Sequence, residues 1–247
     1  MADAAPRLVG RVAIVTGGSG GLGRGIAGRL AAEGCTVASL DIKEPAGPLE
    51  AGVQFLACDV TDREDVNATV RKVAEQFGGL DILVNNAGLL SGRHSFLDVT
   101  ADQMHRYFDV NAVGPLLMTQ AAYPYLKASE HRGRVINVAS RTFFTGNAGQ
   151  AAYVASKGAL TGLTRVLANE LGADGITVNA IVPAQVATPG TREHSGEEVF
   201  AATMSRQAIK EYVTPEHFAG LAAYLASPDA ALITGQTLVY DGGGLLR

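Results

Sequence analysis

The sequence predicts an α/β fold: a doubly wound, parallel sheet of seven strands in a single domain over residues 1–247. Three observations predict it. Short β-branched runs alternate with segments of helical length, the pattern of strand–helix–strand units. The first six runs are almost unbroken apolar stretches rather than period-two alternations, which suits strands covered by helices on both faces. A chain of 247 residues with 47% hydrophobic and 18% charged side chains can bury one large core, and no repeat, low-complexity linker or composition break marks a second domain.

The first strand is Arg11–Thr16 (RVAIVT), which runs into a glycine-rich turn and a helix over Leu22–Glu33. Thr36–Asp41 (TVASLD) and Val53–Asp59 (VQFLACD) are the second and third strands, followed by a helix over Asp62–Phe77. Asp81–Asn85 (DILVN) precedes one long helical segment, Ala101–Lys127, and Arg134–Ala139 (RVINVA) precedes a helix over Ala151–Leu171. The sixth strand, Ile176–Val182, leads into the least regular stretch of the chain. There Pro189 and Gly190 break the pattern, and the run holding Phe200 and Met204 reads as a short helix. A long excursion at the carboxyl end of a strand predicts a substrate lid over 184–213. A helix over Pro215–Ala226 and the strand Gln236–Tyr240 complete the domain.

The net charge of -4 and a pI near 5.7, with no Lys/Arg-rich tract, argue against a nucleic-acid partner. Met1–Gly10 lacks the charged start and apolar run of a secretory signal, and no apolar stretch reaches the roughly 18 residues of a membrane span. A cytoplasmic protein with no membrane partner is expected. Cys35 and Cys58 lie in apolar runs without CxxC spacing, so they read as buried thiols. The five histidines show no metal-binding spacing, and no metal is expected; His94 and His194 fall in loops at the substrate end.

The turn after the first strand reads Thr16-Gly17-Gly18-Ser19-Gly20-Gly21-Leu22-Gly23. A G-x-G-x-x-G pattern fits in two registers, and a tight strand–helix turn needs glycine anyway, so context decides. A strand, a glycine turn, a helix start and an acid 18 residues beyond Gly23, Asp41, reproduce a dinucleotide-binding arrangement. Glycines let the backbone approach a pyrophosphate, and the free amides of the helix start favour its charge. A carboxylate at Asp41 accepts hydrogen bonds from ribose hydroxyls and repels a 2′-phosphate, which favours NAD over NADP; Lys43, two residues on, softens that preference.

With the turn read as Thr16-Gly17-x-x-x-Gly21-x-Gly23, Asn85-Asn86-Ala87-Gly88 after the fourth strand and Tyr153-x-x-x-Lys157 on a helix, the chain resembles the short-chain dehydrogenase/reductase family over nearly its whole length. Within it, the Arg141–Phe144 segment, the chain end and the long excursion look most like bacterial secondary-alcohol dehydrogenases of the phenylethanol type. The resemblance implies a Rossmann fold and a cofactor cradle of Gly17, Ser19, Gly21, Leu22 and Gly23. It also implies Asp59 and Val60 beside the adenine, Asn86, Ala87 and Gly88 lining the adjacent floor, and Pro183, Val186 and Thr188 at the nicotinamide edge. Four catalytic positions follow from it as well: Asn111, Ser140, Tyr153 and Lys157, the last two also touching the cofactor. One departure stands out. The family usually follows the proline after the sixth strand with glycine, whereas Pro183 is followed by Ala184.

The expected activity is an NAD(H)-dependent interconversion of a secondary alcohol and a ketone. Hydride transfer leaves a proton to be moved, and Tyr153 is the acid/base within reach. A free tyrosine titrates near pH ~10, so adjacent positive charge is needed. Lys157 shares a helix face with Tyr153 and is placed to lower its pKa, helped by the oxidised nicotinamide. Ser140 would fix the substrate oxygen, and Asn111, on the resemblance alone, would hold a water that links Lys157 to solvent. Taken singly, a Tyr–Lys pair at this spacing is a packing pair, Ser140 a turn residue and Asn111 a helix-start residue. A dinucleotide-sensing protein or a cofactor-retaining epimerase or dehydratase would use the same cradle.

Pocket walls are expected from Leu89–Phe96, Arg141–Phe144 and Gln185–Met204, with Phe143, Phe144 and Phe200 suited to an apolar or aromatic ring. Arg141 reads either as an inward group for a substrate carboxylate or as a surface charge, and the surface reading is favoured. The apolar segments Ala112–Leu126 and Ala151–Leu167 and the family resemblance point to a homotetramer, or failing that a dimer.

Overall fold

Seven strands form where the β-branched runs fall: β1 (Val12–Thr16), β2 (Thr36–Asp41), β3 (Val53–Ala57), β4 (Ile82–Asn85), β5 (Arg134–Val138), β6 (Thr177–Pro183) and β7 (Thr237–Tyr240). The computed structural model describes residues 6–90, 93–188, 191–192 and 195–246; Pro189, Gly190 and His194 lie outside them. The sheet is parallel throughout, in the order β3-β2-β1-β4-β5-β6-β7. The chain therefore builds outward from β1 to β3, then returns to β4 and builds the other way. That reversal opens a crevice at the carboxyl ends of β1 and β4, where doubly wound sheets bind ligands.

Every residue of β1 is buried because both faces are covered. Val12 and Ile14 point into one core with Val66, Val70 and Val73 of α2 (Arg63–Phe77), while Ala13 and Val15 point into the other with Ile26 and Leu30 of α1 (Gly21–Ala32). The apolar run of β1 is thus two interleaved faces, each with its own helix layer. The Asp62 carboxylate caps α2 by accepting from the amides of Glu64 and Asp65, and Gly78 ends it in the left-handed region (φ 85°).

The segment read as one helix over Ala101–Lys127 is instead three pieces: α3 (Ala101–Phe108), a π-helical turn (Asp109–Val113) and α4 (Gly114–Ala128). The physical reason lies in Pro115, which has no N–H to give to the Asn111 carbonyl one turn back. Gly114 N donates to Asp109 O, and the ladder slips by one residue. The turn at β5's end holds a one-turn helix, α5 (Thr142–Thr145), which was too short to show a period. Among the described residues there follow the α-helices α6 (Ala151–Leu171), α7 (Glu197–Arg206) around Phe200 and Met204, and α8 (Pro215–Ala226). β3 stops at Ala57 rather than Asp59, because Asp59 is already turning: its carboxylate accepts from Thr61 N and Thr61 Oγ1.

Among the described residues, no helix is long and apolar enough to cross a membrane, and no cluster of His, Cys, Asp or Glu could hold a metal ion. Cys35 and Cys58 are free and buried, and burial pushes both thiols up to about 12.

Candidate active site

The glycine turn is tied to the end of β4 by two side chains. Thr16 Oγ1 accepts from the backbone amides of Asn86 and Ala87 at 3.0 Å each, and Asn86 Nδ2 donates to the carbonyls of Thr16 and Gly17 at 2.9 and 3.0 Å. This clamp leaves no room for a side chain at Gly17 or Gly23. A Cβ on Gly23 would sit 2.1 Å from the Gly17 carbonyl oxygen, and Gly17 itself has φ 62°. α1 starts at Gly21 after Gly20, which offers no side-chain cap, so the first amides of the helix keep their hydrogens for something else. Ser19 Oγ is buried and has no hydrogen-bond partner among the described residues. A cradle that excludes Cβ atoms, an uncapped helix start and an orphaned hydroxyl fit the diphosphate of a dinucleotide.

Asp41 ends β2 beside this turn. Its carboxylate accepts from Ser19 N (3.3 Å) and Lys43 N (3.2 Å), while the Lys43 side chain makes no ion pair with it. Val60 is buried against Gly114, Val186 is buried with Leu22 and Tyr240, and Thr188 lies 3.6 Å from where a Gly21 Cβ would be. The Thr188 hydroxyl is held by the Thr191 amide at 3.1 Å. Pro183 pairs with Tyr240 at the end of β6, and Ala184 N donates to the Tyr240 carbonyl, so alanine is accommodated where glycine was expected.

Ser140, Tyr153 and Lys157 come together at the carboxyl end of β5. Ser140 is 7% exposed and its hydroxyl is 2.9 Å from Thr142 Oγ1. Tyr153, in the first turn of α6, is held up in pKa by burial, while the neighbouring Ser140 hydroxyl pulls it down and Tyr107, edge-on at 6.4 Å, pushes it up. Lys157 is 5% exposed and donates from Nζ to the Val138 carbonyl at 2.8 Å; burial pulls its pKa down to about 8. This differs from the expectation that Lys157 lowers the tyrosine. In the protein alone desolvation dominates both groups, and Tyr153 moves up rather than down.

Asn111 is fully buried in the π-helical turn. Its Oδ1 accepts from Leu89 N at 2.9 Å, and its Nδ2 donates to Ser156 Oγ at 2.9 Å, which in turn donates to the Tyr153 carbonyl at 2.8 Å. Asn111 Oδ1 and Lys157 Nζ also flank Gly88, at 3.1 and 3.3 Å from where its Cβ would be. Ser156 escaped the reading of the sequence, although its place between Tyr153 and Lys157 was a signal. So did the buried ladder beneath the site, in which Asn85 Nδ2 donates to Asn137 Oδ1 (2.8 Å) and Asn137 Nδ2 to Thr164 Oγ1 (2.9 Å), joining β4, β5 and α6.

Two cavities open at this end of the sheet. One, of about 230 Å³, reaches Tyr153 between Tyr107, Leu90 and His94; the other, of about 480 Å³, lies between Arg141, Gln185 and α7. Arg141 therefore turns inward, against the surface position favoured from sequence. The aromatic walls are also corrected. Phe200 is 1% exposed, edge-on to Tyr212 and under Arg192, anchoring α7. Phe144 packs on Ala139 and Val182, and Phe143 lies over Gly158 of α6 with 41% exposure. None of the three lines either cavity. Phe96, also expected in a wall, is 77% exposed.

Residues 17–244 match a family model described as "Enoyl-(Acyl carrier protein) reductase". The chain is 37% identical over 259 residues to "Diacetyl reductase [(S)-acetoin forming]" of Staphylococcus aureus, covering 96% of this chain and 98% of that protein. It is 34% identical over 247 residues to "2-dehydro-3-deoxy-D-gluconate 5-dehydrogenase" of Escherichia coli, covering 97% of each. "General stress protein 39" of Bacillus subtilis is 36% identical over 98% of this chain and 87% of its own length.

Proposed function

Because the chain belongs to the short-chain dehydrogenase/reductase family and is an oxidoreductase, we propose that it interconverts a secondary alcohol and a ketone with NAD(H), using Tyr153 as the acid/base. One observation carries this reading: buried Ser140 and Lys157 flank a half-buried Tyr153 at the sheet's carboxyl end, in the same molecule as a cradle shaped for a dinucleotide. Relatives named for reducing diacetyl and for oxidising 2-dehydro-3-deoxy-D-gluconate support a carbonyl rather than another acceptor.

Gly17, Ser19, Gly21, Leu22 and Gly23 would hold the diphosphate, and Asp41 the adenosine ribose. Asp59 and Val60 would border the adenine, with Asn86, Ala87 and Gly88 below and Pro183, Val186 and Thr188 at the nicotinamide edge. The bound cofactor supplies the hydride acceptor and, when oxidised, a positive charge. Ser140 donates to the substrate oxygen and fixes it. Tyr153 Oη takes the alcohol proton during oxidation and returns it during reduction. Lys157 stands one helical turn away to hold the ribose and to stabilise the phenolate, and Asn111 keeps the strand-four loop and the π-turn aligned for proton exit. The segment 184–213, anchored by Phe200, acts as the substrate cover.

The preference for NAD rests on the carboxylate of Asp41 beside Ser19, uncompensated by an ion pair with Lys43. We assign a homotetramer, supported by apolar side chains left exposed next to α4 and on α6, Val113 at 40% and Val166 at 51%, and a cytoplasmic setting, supported by two unpaired buried thiols. The test is to present the purified protein with secondary alcohols and either NAD or NADP. Release of NADH, with NADP at least tenfold poorer, is expected; equal efficiency with both cofactors contradicts the role of Asp41, and no reduction of either contradicts the activity.

A further inference from the structure

Arg141 follows Ser140 directly and faces the 480 Å³ cavity together with Arg206 of α7 and Arg93 of the β4–α3 connection. Among the described residues none of the three is ion-paired. Arg141 makes one long hydrogen bond, from Nη2 to Thr203 Oγ1 at 3.4 Å. Burial lowers its pKa, Asp241 pulls it back up and Arg206 pushes it down, so two guanidiniums are near enough to repel each other over a partly desolvated space. Arg93 and Arg206 are exposed at the rim, and Arg141 is the partly buried cation among the three, with one long hydrogen bond to satisfy it.

The acids close by offset the charge only in part, with Asp241 attracting Arg141 more than Arg206 repels it. Asp241 is 3% exposed and spends Oδ1 on the amides of Gly243 and Gly244, while its Oδ2 has no hydrogen-bond partner. Glu198 lines the cavity too, but its carboxylate folds back over Gly196, at the start of its own helix. Besides α7 and Arg93, the walls come from segments that follow β5, β6 and β7, at the same edge of the sheet as Ser140.

We infer that this cavity is a subsite for a carboxylate carried by the substrate away from its reacting carbon, so that the substrate pair is an oxo acid and a hydroxy acid. The inference builds on the alcohol–ketone reading above. A guanidinium offers a planar fork that matches a carboxylate, and Arg141 is joined directly to Ser140 in the chain. Glu198 at the rim and Asp241 behind leave a small positive excess, which suits a monoanion better than a phosphate dianion.

The test pairs 4-oxopentanoate with its neutral amide, and 5-oxohexanoate with its amide, by titration calorimetry with and without NADH and by steady-state reduction. The acid of at least one pair should bind at least tenfold more tightly than its amide. Arg141→Gln should cut the acid's affinity roughly 10- to 100-fold, Arg206→Gln less, and Arg141→Lys should recover part of the loss, with thermal unfolding confirming that each variant is folded. Equal affinity of acid and amide in both pairs, or an acid affinity unmoved in both Gln variants, overturns the inference. Tighter binding of inorganic phosphate than of either acid overturns the carboxylate assignment. If an acid binds through Arg141 and no oxo compound is reduced, the subsite stands and the proposed activity falls.

Discussion

At the scale of single residues, the site is governed by desolvation. Lys157 is surrounded by protein and donates to a backbone carbonyl rather than to a carboxylate, so its charge is only partly compensated and its pKa falls from the ordinary 10.5 to about 8. The folded protein therefore holds this proton less tightly than the unfolded chain does. Between pH 8 and 10.5 the unfolded chain binds more protons at this position, and raising the pH favours the folded state. Lys157→Met removes the group. The stability of wild type relative to Lys157→Met should rise across that window by on the order of 3 kcal/mol, read from urea unfolding of both proteins without cofactor; a difference constant with pH contradicts the account. That Tyr153, Lys157 and Ser140 would meet at one strand end was expected from the family resemblance, and the structure brings them together there. The direction of the tyrosine's shift was not, because burial is a property of the packed site. Arg141 was misplaced for a related reason: a charged residue in a loop looks solvated until the helix that covers it, α7, is seen.

At the scale of elements, the π-helical turn at Asp109–Val113 does the positioning. It places Asn111 where one side chain bridges Leu89 of the β4 loop and Ser156 of α6, and Ser156 passes the connection on to the Tyr153 carbonyl. A continuous helical period hid this, since the slip shifts the ladder by one residue and leaves the apolar pattern on either side nearly intact; Pro115 was the one visible sign. Ser156→Ala leaves Asn111 Nδ2 buried without its acceptor, at a cost of about 1–3 kcal/mol, or roughly 2–10 °C in Tm for a chain of this size. As a positioning residue Ser156 should affect kcat more than KM for the alcohol. A lowered Tm with unchanged kcat would reduce its role to stability.

At the scale of the molecule, the order of the strands creates the site. The reversal between β1 and β4 brings the glycine turn, the Asn86–Gly88 loop and the end of β5 to one edge, although they are far apart in the chain. All seven strands were legible, with ends shifted by a residue or two, because β-branched apolar runs between helix-length segments leave little else for the chain to form. The cavity lining was less legible. Phe143, Phe144 and Phe200 line neither cavity, and the charged groups lining the larger one are three arginines and Glu198. The measurement that bears most directly on the whole account is NADH formation from a secondary alcohol by wild type and Tyr153→Phe, with NADH binding followed in parallel. The account predicts a loss of roughly 10²- to 10⁴-fold in kcat with cofactor affinity retained; equal turnover by the two proteins would contradict it.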